Sequence, residues 1–145
     1  MRTTDEVTGA VVDAAIRIHR DLGPGLFESA YETLLAHELA ERGLEFERQL
    51  LLPLEYRRRR IEFGYRVDLL VEQRVVVEIK STDRPSPIHS RQLLTYLRLA
   101  NLGVGLLINF GTYRLVDGIQ RITNSLVEET AHTEKSRKGE KEPPP

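Results

Sequence analysis

Two carboxylates and an amine, Asp68, Glu78 and Lys80, sit within thirteen positions of one another in a 145-residue chain. They lie in Tyr65-Arg66-Val67-Asp68-Leu69-Leu70-Val71, Glu72-Gln73-Arg74 and Val75-Val76-Val77-Glu78-Ile79-Lys80. Both apolar arms are too short for ordinary helices and the polar trio between them fits a turn, so the stretch predicts a β-hairpin. Side chains alternate across a strand, which sends Glu78 and Lys80 to one face and Val77 and Ile79 to the other. Arms paired so that Asp68 lies beside Glu78 bring both carboxylates and the ammonium to one edge of an apolar sheet. Carboxylates that close repel, and without compensation one holds its proton well above the usual pKa. A divalent cation removes the conflict: Mg2+ takes oxygen ligands, usually one or two carboxylates with waters and substrate phosphate. An edge hairpin with solvated charges would use the same residues.

The elements that must position this hairpin are legible on either side of it. Thr3 or Thr4 can cap a helix whose first turn carries Asp5 and Glu6, and Val7, Val11, Ala14, Ala15 and Ile18 share one helical face. Leu22-Gly23-Pro24-Gly25 stops it. A second helix is expected from about Phe27 to Arg42, with Tyr31, Leu34, Leu35 and Leu39 inward and Gly43 as its left-handed terminus. Phe46 to Tyr56 reads as a strand in which Pro53 marks an edge or a bulge. Arg57 to Arg60 turn it into a strand from Ile61 to Val71, and Arg74 to Ser81 supply a third. Ser86 or Ser90 can cap a helix running to about Asn101, with Leu93, Leu94, Leu97 and the Tyr96 ring available to bury. Val104 to Phe110 is a short apolar run, the form of a strand covered on both sides, and Thr112 to Val116 is expected to add a last one after Gly111. The order is α-α-β-β-β-α-β-β.

Composition sets outer limits. The length suits one domain, expected over residues 1–127, and residues 128–145, charged and ending in three prolines, have almost nothing to bury and are expected to be disordered. No apolar run approaches a membrane span and the first residues lack the apolar core of a signal peptide, which points to a cytoplasmic protein. With no cysteine, any metal ligand is oxygen or imidazole. His19, His37, His89 and His132 are not spaced as a zinc site, and His89 is the one nearest the motif residues. The net charge of −1 conceals a pattern, because residues 48–98 hold eleven Lys and Arg against six Asp and Glu. A basic surface beside an acidic metal site suits phosphodiester chemistry, although a run such as Arg57 to Arg60 can simply solubilise a turn.

Asp68 followed by Glu78-Ile79-Lys80 has the form of the PD-(D/E)XK nuclease signature, with Val67 where its name has proline. Gly25-Leu26-Phe27-Glu28-Ser29-Ala30-Tyr31 spells Gly-x-x-Glu-x-x-Tyr. With Leu22-Gly23-Pro24-Gly25-Leu26 and Leu106-Leu107-Ile108-Asn109-Phe110, these ordered blocks between about residues 5 and 122 resemble the GxxExxY proteins, a bacterial and archaeal family assigned to the PD-(D/E)XK nuclease-like superfamily. Gln92 and Tyr96, four apart and so on one helical face, resemble the Gln-x-x-x-Tyr motif of RecB-type nucleases.

The resemblance implies an α/β (α+β) fold with a restriction-endonuclease-like α-β-β-β-α-β core, a mixed sheet flanked by helices. It implies Mg2+-assisted hydrolysis of nucleic-acid phosphodiester bonds, DNA ahead of RNA, with Mn2+ able to substitute. Asp68 and Glu78 would hold the ion and Glu28 would be a further or water-mediated ligand. Lys80 would orient or help deprotonate the attacking water, Gln92 would position Lys80 or that water, and Tyr96 would meet a base or phosphate. Tyr31 would orient Glu28 or fill the core. Arg57, Arg58, Arg59, Arg60, Arg66, Arg84 and Arg91 are the candidate nucleic-acid contacts, and a homodimer would enlarge the footprint. Other readings are a non-catalytic nucleic-acid-binding module, a dimeric regulatory subunit, and a hydrolase of small phosphate esters.

Overall fold

The computed structural model describes residues 2–127, with Glu62 and Phe63 described by their backbone alone. The charged segment 128–145 lies outside the described residues. Helix α1 (Thr4–Leu22) begins with a reciprocal cap: the Glu6 N–H donates to Thr3 Oγ1 at 3.1 Å and the Thr3 N–H donates to Glu6 Oε2 at 3.3 Å. Val7, Val11, Ala14, Ala15 and Ile18 are buried, as their spacing requires. Helix α2 (Glu28–Glu41) turns Tyr31, Leu35 and Leu39 inward, leaves Leu34 half-buried, and is followed by Gly43 at φ 76°.

Strands β1 (Phe46–Tyr56), β2 (Arg59–Val71) and β3 (Val75–Lys80) form an antiparallel meander. Helix α3 (Pro87–Ala100) carries the chain over to β4 (Val104–Asn109), which is parallel to β3, and β5 (Ile119–Thr123) returns antiparallel to β4. The five strands lie side by side in chain order. Ser86 caps α3 and Asn101 ends it in the left-handed conformation. Pro53 sits on the edge strand, where a missing N–H costs no ladder bond, at a register shift between Leu52 and Leu54. This is a mixed sheet flanked by helices, an α+β fold containing the α-β-β-β-α-β core. One apolar layer joins α1 and α2 to Leu69, Val71, Val75, Val77, Ile79, Leu106 and Ile108. The other packs Leu93 and Leu97 of α3 on Leu52, Val67, Leu70, Val76 and Leu107.

The last strand differs from the expectation of Thr112 to Val116. After β4 the chain must reverse, and it does so through Thr112, whose hydroxyl donates to the Asn109 carbonyl and whose own carbonyl lies 2.9 Å from His19 Nε2. Leu115 is then buried by a short 3-10 turn (Leu115–Gly118). His19 is therefore a strap between α1 and this reversal. Gly111 has no room for a side chain, because a Cβ there would overlap the backbone of Thr82. Gly111→Ala is expected to destabilise the protein by about 1–3 kcal/mol, as overpacking against an immovable backbone does. A thermal midpoint equal to wild type would show that the Thr82 loop yields freely.

Candidate active site

The β2–β3 ladder runs through Val71↔Val75, Leu70↔Val76 and Leu69↔Val77 and stops there. The turn that makes it spans Glu72, Gln73 and Arg74, with Glu72 and Gln73 at φ 52° and 56° and the Arg74 N–H donating to the Val71 carbonyl at 3.0 Å. One further step along both arms sets Asp68 beside Glu78. Instead of a backbone carbonyl, the Asp68 carboxylate takes the Ile79 N–H, at 2.8 Å to Oδ2. The arms separate at this point, and the acidic pair occupies the notch.

Glu78 is held in a strand whose neighbours Val75, Val76, Val77 and Ile79 are all buried, and it is itself only 8% exposed. Its oxygen Oε1 is buried without a hydrogen-bond partner. Burial first, and the Asp68 charge second, raise the Glu78 carboxyl to about 7, against the opposing pull of the Tyr65 hydroxyl, the Asp68 N–H and Lys80. Burial also raises Asp68, opposed by the Ile79 N–H, the Gln49 amide and Lys80. Lys80 is half-buried at the end of β3 and makes no ion pair within 4 Å among the described residues. Two carboxyls that ionise reluctantly thus share a notch with an uncommitted ammonium.

The strand end that carries Lys80 is clamped. Asn109, opposite Lys80 in the parallel register and 5% exposed, accepts from the N–H groups of Thr82 and Gly111 at 3.0 and 2.9 Å and donates to the Thr82 carbonyl at 3.0 Å. A cleft of about 300 Å³ opens beside Lys80, lined also by Thr82, Ser86, His89, Ser90 and Asn109. A profile of the PD-(D/E)XK nuclease superfamily matches residues 5–122, a stretch that carries Asp68, Glu78 and Lys80.

The chain belongs to the PD-(D/E)XK nuclease superfamily. In chain fold it is similar to the alkaline exonuclease LHK-Exo of Laribacter hongkongensis, at 15% identity and TM-score 0.44, over 97% of this chain and 81% of that one. It is also similar to SSO0001, at 18% identity and TM-score 0.41, over 87% of this chain and 71% of that one. A search of curated protein sequences gives no significant match.

Asp68, Glu78 and Lys80 lie close enough to act on one another's charge. The other candidates stand apart to different degrees. Glu28 is exposed at the first turn of α2, in a shallow hollow with Leu26, Phe27, Ser29 and Ser81, and no hydrogen bond ties it to the acidic pair among the described residues. No group of three or more His, Asp or Glu residues forms a metal cluster among the described residues. Tyr31 is fully buried, its ring stacked on Phe110 at 4.2 Å, while its hydroxyl bonds the Gly23 carbonyl and the Leu26 N–H. It fixes the helix–helix turn and does not reach Glu28. Gln92 is exposed on α3. Tyr96 lies flat on Tyr65, ring centres 3.6 Å apart and 3° from parallel.

Three residues of the site do not follow from motif spelling. The Tyr65 hydroxyl hydrogen-bonds the Glu78 carboxylate, and burial, then the Glu78 charge, raise its pKa. Glu32, 7% exposed, faces inward one turn after Glu28. Gln49 bridges Glu32 and Asp68, at 3.1 Å to Asp68 Oδ1. The helical position of Glu32, flanked by Tyr31 and Leu35, is the one sequence signal that marks it as inward.

The arginines divide into a cluster and outliers. Arg57 and Arg58 form the β1–β2 turn at φ 51° and 64°, with Arg57 above the Tyr56 ring at 5.4 Å, and Arg59 and Arg60 open β2. This hairpin pairs out to Tyr56↔Arg59, far beyond the last β2–β3 pair, so its tip projects past the notch. Arg84 is exposed in the loop after Lys80 and Arg91 on α3, whereas Arg66 donates to the Gln49 carbonyl at 3.0 Å. No helix among the described residues is long and apolar enough to cross a membrane.

Proposed function

We propose that this superfamily member is a divalent-metal-dependent nuclease that hydrolyses phosphodiester bonds in DNA. The observation that carries the reading is the buried, unpartnered Oε1 of Glu78 in a notch shared with Asp68 and Lys80. A buried polar atom without a partner is costly, and a hard cation is the partner that also relieves the repulsion from Asp68. Two carboxylates suit Mg2+, which keeps several waters and takes phosphate oxygens from the substrate, and Mn2+ has the same preference. When bound, the ion supplies Lewis-acid polarisation of the phosphate and a lower pKa for water.

The protein's own groups do the rest. Asp68 and Glu78 hold the ion. Lys80 orients the attacking water and stabilises negative charge that develops on the phosphate oxygens, for which its ammonium is uncommitted. Tyr96 acts through its stack on Tyr65, steadying the ring whose hydroxyl bonds Glu78, and Gln92 meets the substrate or the water from the exposed face of α3. Glu28 contributes through a water, consistent with its exposed place in the Gly25-x-x-Glu28-x-x-Tyr31 turn of a GxxExxY-type protein. The arginine-tipped hairpin grips the DNA backbone, and a homodimer in the cytoplasm would double that grip.

Replacing Arg57, Arg58, Arg59 and Arg60 by serine is expected to weaken DNA binding and to flatten its dependence on salt, by roughly 0.9 in the log–log slope for each phosphate the arginines no longer neutralise. Fluorescence anisotropy over a salt series measures it, and an unchanged slope assigns the run to solubility. The nuclease reading itself is tested with labelled single- and double-stranded DNA and RNA, in Mg2+, Mn2+ or EDTA. Cleavage of DNA that EDTA abolishes is the expected result. Cutting that ignores EDTA overturns it, and tight, salt-sensitive binding without cutting makes the protein a binding module.

A further inference from the structure

We propose that Gln49 is a positioning residue that fixes the orientation of Asp68, with Glu32 as its anchor. The purpose of this arrangement rests on the nuclease reading above, while the hydrogen bonds themselves stand on geometry. Gln49 Nε2 donates to Asp68 Oδ1 at 3.1 Å and also to Glu32 Oε1. Between two carboxylate oxygens only the NH2 end of the amide fits, because its carbonyl would face acceptors on both sides. Asp68 Oδ2 is already taken by the Ile79 N–H, so β3 holds one oxygen and β1 the other. That pair of bonds sets the plane of the carboxylate and leaves lone pairs on each oxygen for a ligand.

The anchor is firm. Glu32 is 7% exposed, and its second oxygen, Oε2, accepts from Arg48 Nε and Nη2 at 3.1 and 2.9 Å. A buried carboxylate with every oxygen satisfied does not wander.

The backbone is bent to make this contact. Gln49 has φ 49°, a left-handed conformation in the middle of a strand, which a residue with a Cβ adopts rarely. The consequence is visible on both sides of it. Phe46 and Arg48 face the α1–α2 layer, yet Leu50 and Leu52, two and four positions on, face α3. β2 rolls over in step, from Leu69 on one face to Val67 on the other. The ladder goes from Arg48↔Leu69 to Leu50↔Val67 and omits Gln49 and Asp68 themselves. The Arg66 guanidinium braces the distortion by donating to the Gln49 carbonyl at 3.0 Å. Left-handed residues held by their surroundings gather at functional sites, and this one ends on the metal-binding aspartate.

Three variants separate positioning from bracing. Gln49→Gly keeps the left-handed backbone, which glycine accepts, and removes the amide. It is expected to retain the fold and to need about 10–100-fold more Mg2+ for half-maximal cleavage, with Mn2+ affinity by calorimetry reduced by a similar factor. Gln49→Asn shortens the side chain by one methylene and serves as the graded control. In the exchanged pair Glu32→Gln with Gln49→Glu, the helix-to-strand hydrogen bond is restored, so the thermal midpoint recovers, but position 49 now turns an acceptor toward Asp68 and the metal requirement stays high. Recovery of the wild-type Mg2+ dependence in the exchanged pair overturns the proposal, since a mere brace works in either direction. The contact is also read without metal or substrate, by a thermal-unfolding cycle of Gln49→Gly and Asp68→Asn. Strictly additive losses overturn the proposal even if the protein is a nuclease. Coupling in a protein that cuts nothing upholds the contact and defeats the nuclease reading instead.

Discussion

On the proposed reading, Lys80→Ala and Glu78→Ala are each expected to lower kcat for DNA cleavage by about 10²–10³-fold or more, the range seen when one preorganised charge is taken from a site of developing negative charge. Lys80 is the cleaner of the two. It is half-buried, with no ion pair within 4 Å among the described residues, so its removal breaks no direct ion pair, takes from Asp68 and Glu78 only a minor favourable charge, and leaves the thermal midpoint near wild type. KM for DNA changes little, because one charge among several basic contacts contributes little to ground-state binding. Lys80→Arg does not restore the rate, since a planar guanidinium cannot replace a compact ammonium at the end of a clamped strand. Steady-state kinetics on both variants check this. A loss under tenfold for Lys80→Ala would take that residue out of the chemistry.

Glu78→Gln has the opposite effect on stability, and the sign follows from the direction of the shift. Glu78 moves from an ordinary 4.5 up to about 7 in the folded protein. An acid whose folded pKa is raised binds its proton more tightly when folded. The protein is therefore most stable, as regards this group, below about pH 4.5, and loses that stability as pH rises through about 7. A rise of that size corresponds to about 3 kcal/mol in the metal-free protein. Asp68, also raised by burial, adds in the same direction. At pH 8 without metal, Glu78→Gln is thus expected to be more stable than wild type by up to about 3 kcal/mol while being inactive, a direct exchange of stability for function. Mg2+ narrows the gap by binding the wild type alone. Denaturant unfolding at pH 5 and pH 8, with Mg2+ and with EDTA, measures it. A variant no more stable than wild type at pH 8 would mean that Glu78 is already compensated.

How much of this was readable in the chain depends on the range of the interaction. A cap at Thr3 or Thr4, the stop at Gly23, the left-handed Gly43, the edge Pro53 and the whole span of β1 were local signals, and each is present, the cap at Thr3 with Glu6 reciprocating. So was the hairpin that sets Asp68 against Glu78, from two short apolar arms around the polar trio Glu72-Gln73-Arg74. β5 was missed because Ile119 and Ile122 are its only apolar residues, fewer than the five-residue window before it offered. Glu32 reads like any solvent-facing helical glutamate until Arg48 and Gln49, on a strand sixteen and seventeen residues later, arrive to satisfy it. Gln49 gave no warning at all. Glutamine is not a residue type that advertises positive φ, and the bend exists only because Arg66, Glu32 and Asp68 converge on it from three other positions. Tyr65 was within the motif block, but its hydrogen bond to Glu78 and its stack on Tyr96, delivered by α3, were not readable from it.

The proposed shared hold of Asp68 and Glu78 on one dication is best measured by diffraction from crystals soaked in Mn2+, recorded where manganese scatters anomalously. The expected result is a single anomalous peak in the notch, with a carboxylate oxygen from each residue at about 2.1 Å and Glu78 Oε1 no longer without a partner. A peak elsewhere, or a notch that stays empty at saturating Mn2+, contradicts the account.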